Sequence, residues 1–166
     1  MVVIIFGVGG VGKTTIGELL AQELGWTFYD ADDVHPSANV EKMKRGEPLT
    51  DEDRQPWLES LREMIVRSLA RSENAVLACS ALKRIYRDVL RVSPEVKFVF
   101  LRGDRARIAE QFKQRGGHFF DPKLLEAQFA DLEEPQPDED ALTVEIGREP
   151  PRIVDVIEAS LRDSSP

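Results

Sequence analysis

The sequence has a single cysteine, Cys79, two histidines, and no apolar run near the roughly 20 residues that a membrane span requires. One thiol excludes an intramolecular disulfide, and a lone cysteine in a reducing compartment is most often a small buried hydrophobe. Two histidines and one cysteine at these spacings form no zinc pattern. The N-terminal residues show neither a basic region nor the long apolar stretch of a secretory signal, so the expectation is a cytoplasmic protein without a membrane partner. Positive charge is also scarce. With 22 Lys and Arg against 30 Asp and Glu, the formal net charge is −8, which opposes the basic surface that binds a phosphate backbone and argues against a nucleic-acid partner. An anionic small substrate would need a local cationic pocket. The 166 residues suffice for one domain with its own core, 1–166, and contain no internal repeat.

Glycine is concentrated where it matters. The stretch GVGGVGKTT, Gly7 to Thr15, follows the apolar run VVIIF and fits two phosphate-binding patterns. As Gly7-x-Gly9-x-x-Gly12 it is a dinucleotide fingerprint, and Asp30 stands near the place of a ribose-binding acid. As Gly7-x-x-x-x-Gly12-Lys13-Thr14 it is a nucleoside-triphosphate loop. The glycines do not decide between them. Lys13 and Thr14 do, because a lysine bridging β- and γ-phosphates and a hydroxyl on Mg²⁺ have no purpose under a dinucleotide. In this reading the backbone amides from Val8 to Thr15, through Gly9, Gly10, Val11, Gly12, Lys13 and Thr14, form an anion nest at the positive end of a helix. The side chain of Val11 is then expected to matter little.

Strand and helix patterns alternate along the chain. Val2 to Phe6 reads as a strand buried on both faces, Lys13 to Leu24 as a helix stopped by Gly25, and Trp26 to Tyr29 as a second strand running into Asp30-Ala-Asp32-Asp33. A short helix over Asn39 to Lys44 follows. The next is long, with Thr50 as a candidate N-cap and Trp57, Leu58, Leu61, Met64, Ile65 and Leu69 on one apolar face. Strands are expected at Ala75 to Cys79, Val96 to Leu101 and, more weakly, Leu142 to Ile146. Helices are expected from about Ala81, capped by Ser80, to Val92, over Arg105 to Gln114, from Pro122 through Leu132, and over Arg152 to Leu161. The loop EEPQPDED argues against regular structure. This order predicts an α/β three-layer sandwich on a parallel five-stranded sheet.

No Asn-Lys-x-Asp guanine reader is present, which argues against a switch GTPase, and the chain is small for a transport ATPase. A small-molecule kinase remains. The stretches GVGGVGKTT, DADDVHP, NVEKMKRGEPLTDEDRQPWL, CSALKRIYRDVLR, GHFFDPKLLEAQF and LEEP, in this order, resemble the gluconate kinase (gluconokinase) family from the loop through about Pro135. The resemblance implies a P-loop fold of the shikimate and nucleotide kinase type with a lid, about 111–123. It also implies ATP and Mg²⁺ as cofactors, D-gluconate as substrate, and a homodimer. Family loops usually have serines at the positions of Gly9 and Val11, and often arginine at that of Gln111, whereas Arg115 matches.

Phosphoryl transfer runs through a loose transition state, so positioning and charge neutralisation dominate. Lys13 is expected on the β- and γ-phosphates and Thr14 on the metal. Asp30 and Asp32, two apart on a strand, would share one face, with Asp33 turned away and structural. The resemblance gives Asp30 the metal and Asp32 the acceptor hydroxyl. For a carboxylate substrate, Arg54 offers a planar fork, while Lys83 and Arg87 lie four apart on one expected helix face. His35 is expected to line the acceptor site as a hydrogen bonder, and Arg115 to neutralise the transferring group on a lid hinged at Gly116-Gly117 and tipped by His118. A shikimate-type kinase of another small metabolite, or a non-catalytic nucleotide-binding sensor, would use the same loop.

Overall fold

A computed structural model describes residues 1–114 and 121–163. Strand β1, Val2–Phe6, is apolar and buried at all of its positions. Because successive side chains point to opposite faces, it supplies both cores. Val3 and Ile5 pack with Ile16 and Leu20 of helix α1, Lys13–Leu24, and with Ile153, Val154 and Ile157 of helix α7, Pro150–Asp163. Val2, Ile4 and Phe6 face the other layer, where Trp57, Leu61 and Ile65 of α3, Asp51–Ala70, meet Tyr86 and Leu90 of α4, Arg84–Leu90.

The remaining strands are β2 (Thr27–Asp30), β3 (Ala75–Ala78), β4 (Val96–Arg102) and β5 (Ala141–Glu145). They form one sheet in the order β2-β3-β1-β4-β5, with all neighbours parallel. The expected three-layer sandwich is therefore the observed architecture. The chain moves from β1 out to β2 on one side and later from β3 across to β4 on the other, so the strand order reverses beside β1. The crevice at the carboxyl ends of strands around such a reversal is where open α/β sheets bind ligands.

Helices α2 (Ser37–Lys44), α5 (Arg105–Gln114) and α6 (Pro122–Asp131) stand over that crevice. Thr50 caps α3 as expected, in a reciprocal pair: its hydroxyl accepts the Asp53 N–H, and the Asp53 carboxylate accepts the Thr50 N–H. With Lys42 as a second donor to that carboxylate, Asp53 is held down at a pKa of about 2.

Three local expectations change. Helix α4 starts at Arg84 rather than near Ala81, because Ala81 adopts a left-handed backbone at φ 40 and leaves Lys83, not Ser80, at the helix start. The acidic turn after β2 is a 3-10 helix, Ala31–Val34, and not continued strand. A second 3-10 turn, Pro137–Glu139, lies inside the segment expected to be irregular. Of the expected lid, Gln111 to Gln114 end α5 and Asp121 caps α6. Arg115, Gly116, Gly117 and His118 lie outside the described residues.

Candidate active site

The phosphate loop bends from β1 into α1 through backbone that only glycine adopts easily. Gly12, the residue at the start of α1, has φ 102, and Gly7 has φ 148 with room for no side chain, since a Cβ there would stand 2.8 Å from the Leu101 carbonyl oxygen. No acidic residue occupies the first turn of α1, so its positive end is unopposed locally. Not every loop amide faces outward. The Gly7 N–H donates to the Ser80 carbonyl at 3.3 Å, the Val11 N–H to the Val8 carbonyl at 3.4 Å, and the Gly9 N–H to Gln128 Oε1 at 2.6 Å. Val11 is a correction in a second respect. Its side chain is 3% exposed and belongs to the core against Gly7 and α5, so it anchors the loop from beneath.

Lys13, Thr14, Asp30, Asp32, His35 and Arg54 are brought together around one cavity of about 380 Å³, with Gly9 and Gly10 at its edge. Lys13 Nζ donates to the Val8 carbonyl at 3.0 Å, which folds the ammonium back over the loop. The Thr14 hydroxyl donates to Asp30 Oδ2 at 3.0 Å, while Asp30 Oδ1 accepts the Asp32 N–H at 2.9 Å. A hydroxyl and a carboxylate oxygen at this separation suit two neighbouring positions around Mg²⁺, whose ~2.1 Å octahedral bonds place adjacent ligands about 3 Å apart. Among the described residues no three acidic, His or Cys side chains form a metal cage.

The expected reason for pairing Asp30 with Asp32 does not hold, although both reach the cavity. Strand β2 ends at Asp30, whose carboxylate caps the 3-10 turn, and that turn carries Asp32 and also Asp33 to the cavity wall. Asp33 is therefore not turned away. The turn is pinned from below by Trp57 Nε1, which donates to the Ala31 carbonyl at 2.7 Å.

The His35 ring stacks on Trp57, with centroids 4.4 Å apart and planes 9° from parallel. Burial first, and the Arg54 charge second, push its pKa down to about 4 against the opposing pull of Asp30. It is neutral at pH 7 and able to accept or donate a hydrogen bond. Cys79 also borders the cavity, but burial pushes its thiol up to about 12, so it is no nucleophile.

Arg54 spends one nitrogen on the protein: Nη1 donates to the Tyr86 hydroxyl at 2.7 Å and to Asp131 Oδ2 at 3.0 Å. The Tyr86 hydroxyl in turn donates to Asp51, which also takes Lys83 Nζ at 2.9 Å. Lys83 thus sits behind Arg54 and does not line the cavity. Arg87 is a plain correction. It is fully buried, with Nε and Nη2 on the two carboxylate oxygens of Glu139 at 2.6 and 2.9 Å and Nη1 on the carbonyls of Ala81 and Leu82 at 3.0 Å each. Arg87, in the last turn of this short helix, faces inward and braces the Ala81–Leu82 segment below the cavity instead of meeting a ligand.

A second cavity of about 600 Å³ opens on the other side of the loop, where Gly10, Val11, Gly12 and Thr15 meet Arg107 and Gln111 of α5 and the Gly147–Pro150 segment. The Gln111 Oε1 atom there is buried and meets no hydrogen-bond partner among the described residues. The residues missed from sequence are mainly those of α5 and α6: Phe112, Leu124, Ala127 and Gln128 close the main cavity. Gln128 carried one usable signal, a polar residue four after the buried Leu124 and three after the buried Leu125.

Residues 9–137 match the family model described as shikimate kinase. The thermosensitive gluconokinase of Escherichia coli is 45% identical over 148 residues, covering 88% of this chain and 79% of that protein. This chain belongs to the gluconokinase family. Membership accounts for the loop and the acidic turn in one cavity, and solved structures of relatives agree with it. A sugar kinase from a Janibacter species superposes with a TM-score of 0.91 at 40% identity, covering 98% of this chain and 95% of that one. A gluconokinase from Sinorhizobium meliloti gives 0.82 at 38% identity, covering 98% and 97%. The family's fold is the P-loop kinase fold seen here, and its members use a nucleotide. No helix among the described residues is long and apolar enough to cross a membrane.

Proposed function

We propose that this chain transfers the terminal phosphoryl group of ATP to D-gluconate, giving 6-phospho-D-gluconate and ADP. One observation carries the reading: Lys13, Thr14 and the Asp30–Asp32 turn face the same cavity as His35 and Arg54, while a second cavity opens across the loop. A donor on one side and an acceptor on the other meet at Gly10, which borders both cavities.

Bound ATP with Mg²⁺ supplies the phosphoryl group and screens its charge. Lys13, which rests on the Val8 carbonyl, would bridge the β- and γ-phosphates, and Thr14 with Asp30 would hold the metal. Asp32 orients the acceptor hydroxyl and takes its proton as the new O–P bond forms and the bond to ADP breaks. Neutral His35 hydrogen-bonds the polyol, and the nitrogens of Arg54 not used on Tyr86 and Asp131 take the substrate carboxylate. Arg107, Gln111 and Arg148 border the space for the nucleoside. Arg115, outside the described residues, is the family-like candidate for adding positive charge at the transferring group.

Release of ADP over a panel of acceptors tests this reading. The expected result is strong stimulation by D-gluconate and little by shikimate. Preference for shikimate would move the chain to the related metabolite-kinase reading, and no stimulation by any hydroxy acid would leave a nucleotide-binding module. The reading includes a cytoplasmic homodimer, and a solution mass at assay concentration checks the dimer.

A further inference from the structure

Gln128 lies 119 residues from Gly9 in sequence, yet its Oε1 accepts the Gly9 N–H at 2.6 Å. The contact extends over the whole amide. A Cβ on Gly9 would stand 3.3 Å from Gln128 Oε1, 3.5 Å from its Nε2 and 3.0 Å from the Phe112 ring, so a bare backbone is what lets α6 approach the loop. The partner also decides which way the amide is turned. A backbone N–H can only donate, so the oxygen must face Gly9 and the NH₂ group must face away from it. Gln128 lines the main cavity together with Lys13 and Asp32, and no hydrogen-bond acceptor meets its Nε2 among the described residues.

The same helix reaches the acceptor end. Asp131, three residues on and about 4.5 Å along the axis, takes Arg54 Nη1 at 3.0 Å. Helix α6 therefore touches the donor loop and the acceptor arginine through side chains less than one turn apart.

We infer that Gln128 is a contact for the transferring phosphoryl group: its oxygen is tethered to Gly9, and its Nε2 is thereby aimed into the cavity as a donor to the γ-phosphoryl oxygens. The inference rests on the phosphoryl-transfer reading and adds a residue to it. A loose transition state spreads charge over those oxygens. A neutral donor already fixed by the protein stabilises that charge without reorganising, and it costs no further cation in a site that holds Lys13. An acidic replacement would reverse the effect while keeping the tether.

The test is calorimetric titration of wild type, Gln128→Met and Gln128→Glu with Mg²⁺-ADP and with a Mg²⁺-bound non-hydrolysable ATP analogue, alongside thermal melting. No acceptor is present, so the result is independent of the gluconate assignment. Methionine keeps the length and loses both hydrogen bonds. It should weaken the triphosphate analogue about tenfold or more, as for a lost bond to a charged group, and leave ADP within about twofold. Glutamate keeps the acceptor for Gly9 and should weaken the analogue at least as much, again sparing ADP. Equal losses for both nucleotides with a lowered melting temperature would reduce Gln128 to a structural tie and overturn the inference. So would a glutamate variant that binds the analogue like wild type. If the methionine variant does not fold, the glutamate variant alone decides.

Discussion

Arg54 shows how much of a residue's role is set by what stands behind it. Its guanidinium is held by Tyr86 and Asp131 on one nitrogen, so the fork has a single orientation before any ligand arrives. Arg54→Lys keeps the charge and loses the fork, and it should raise the KM for gluconate by about 10- to 100-fold with a smaller effect on the KM for ATP. Steady-state kinetics with each substrate varied separately checks the split, and an equal rise in both would remove Arg54 from the acceptor side. His35 gives a pH prediction of definite sign. The unfolded chain takes up its proton near the ordinary 6.5, whereas the folded one resists until about 4. Unfolding therefore binds a proton across that window, so the contribution of His35 is complete above pH 6.5 and is lost as the pH falls toward 4. Melting temperatures from pH 7 to 4 should fall less steeply in His35→Gln than in wild type, and parallel curves would contradict the assignment. Both residues were legible as candidates in the sequence. Their partners were not, because Tyr86, Asp131 and Trp57 come from elements that only the fold brings together.

At the scale of elements, the signals that survived were those with a local physical cause. Thr50 and Asp53 are three apart before an apolar periodicity, and they form the expected cap. Thr50→Ala should cost about 1 kcal/mol of stability, measured by denaturant unfolding, and no change would mean that α3 is held by packing alone. Helix α4 went differently. A periodic pattern reaching back to Ala81 hid a left-handed residue there, and with the start displaced Arg87 moved from a supposed ligand to a buried partner of Glu139. Glu139 itself lay in a stretch whose prolines and acids suggested only loop; burial of one charge against another across 52 residues leaves no local trace. Arg87→Met strands the Glu139 carboxylate and should cost about 3–5 kcal/mol. A variant as stable as wild type would show that the pair is not structural.

For the whole molecule, a parallel sheet was foreseeable from alternation alone, whereas the reversal of strand order beside β1, which fixes where the loop and the acidic turn must meet, is seen only in the fold. The α6 wall was not foreseeable, since its cavity face is made of ordinary apolar residues and one glutamine. What the complete arrangement asserts is that phosphoryl transfer to gluconate depends on a carboxylate that nucleotide binding does not need. The direct measurement compares wild type and Asp32→Asn for gluconate-dependent formation of phosphogluconate, detected by mass, and for Mg²⁺-ATP affinity in the same preparations. Product formation should fall by about 100-fold or more in the variant while nucleotide affinity stays within about threefold. Undiminished turnover in Asp32→Asn, or loss of nucleotide binding along with it, would contradict the account.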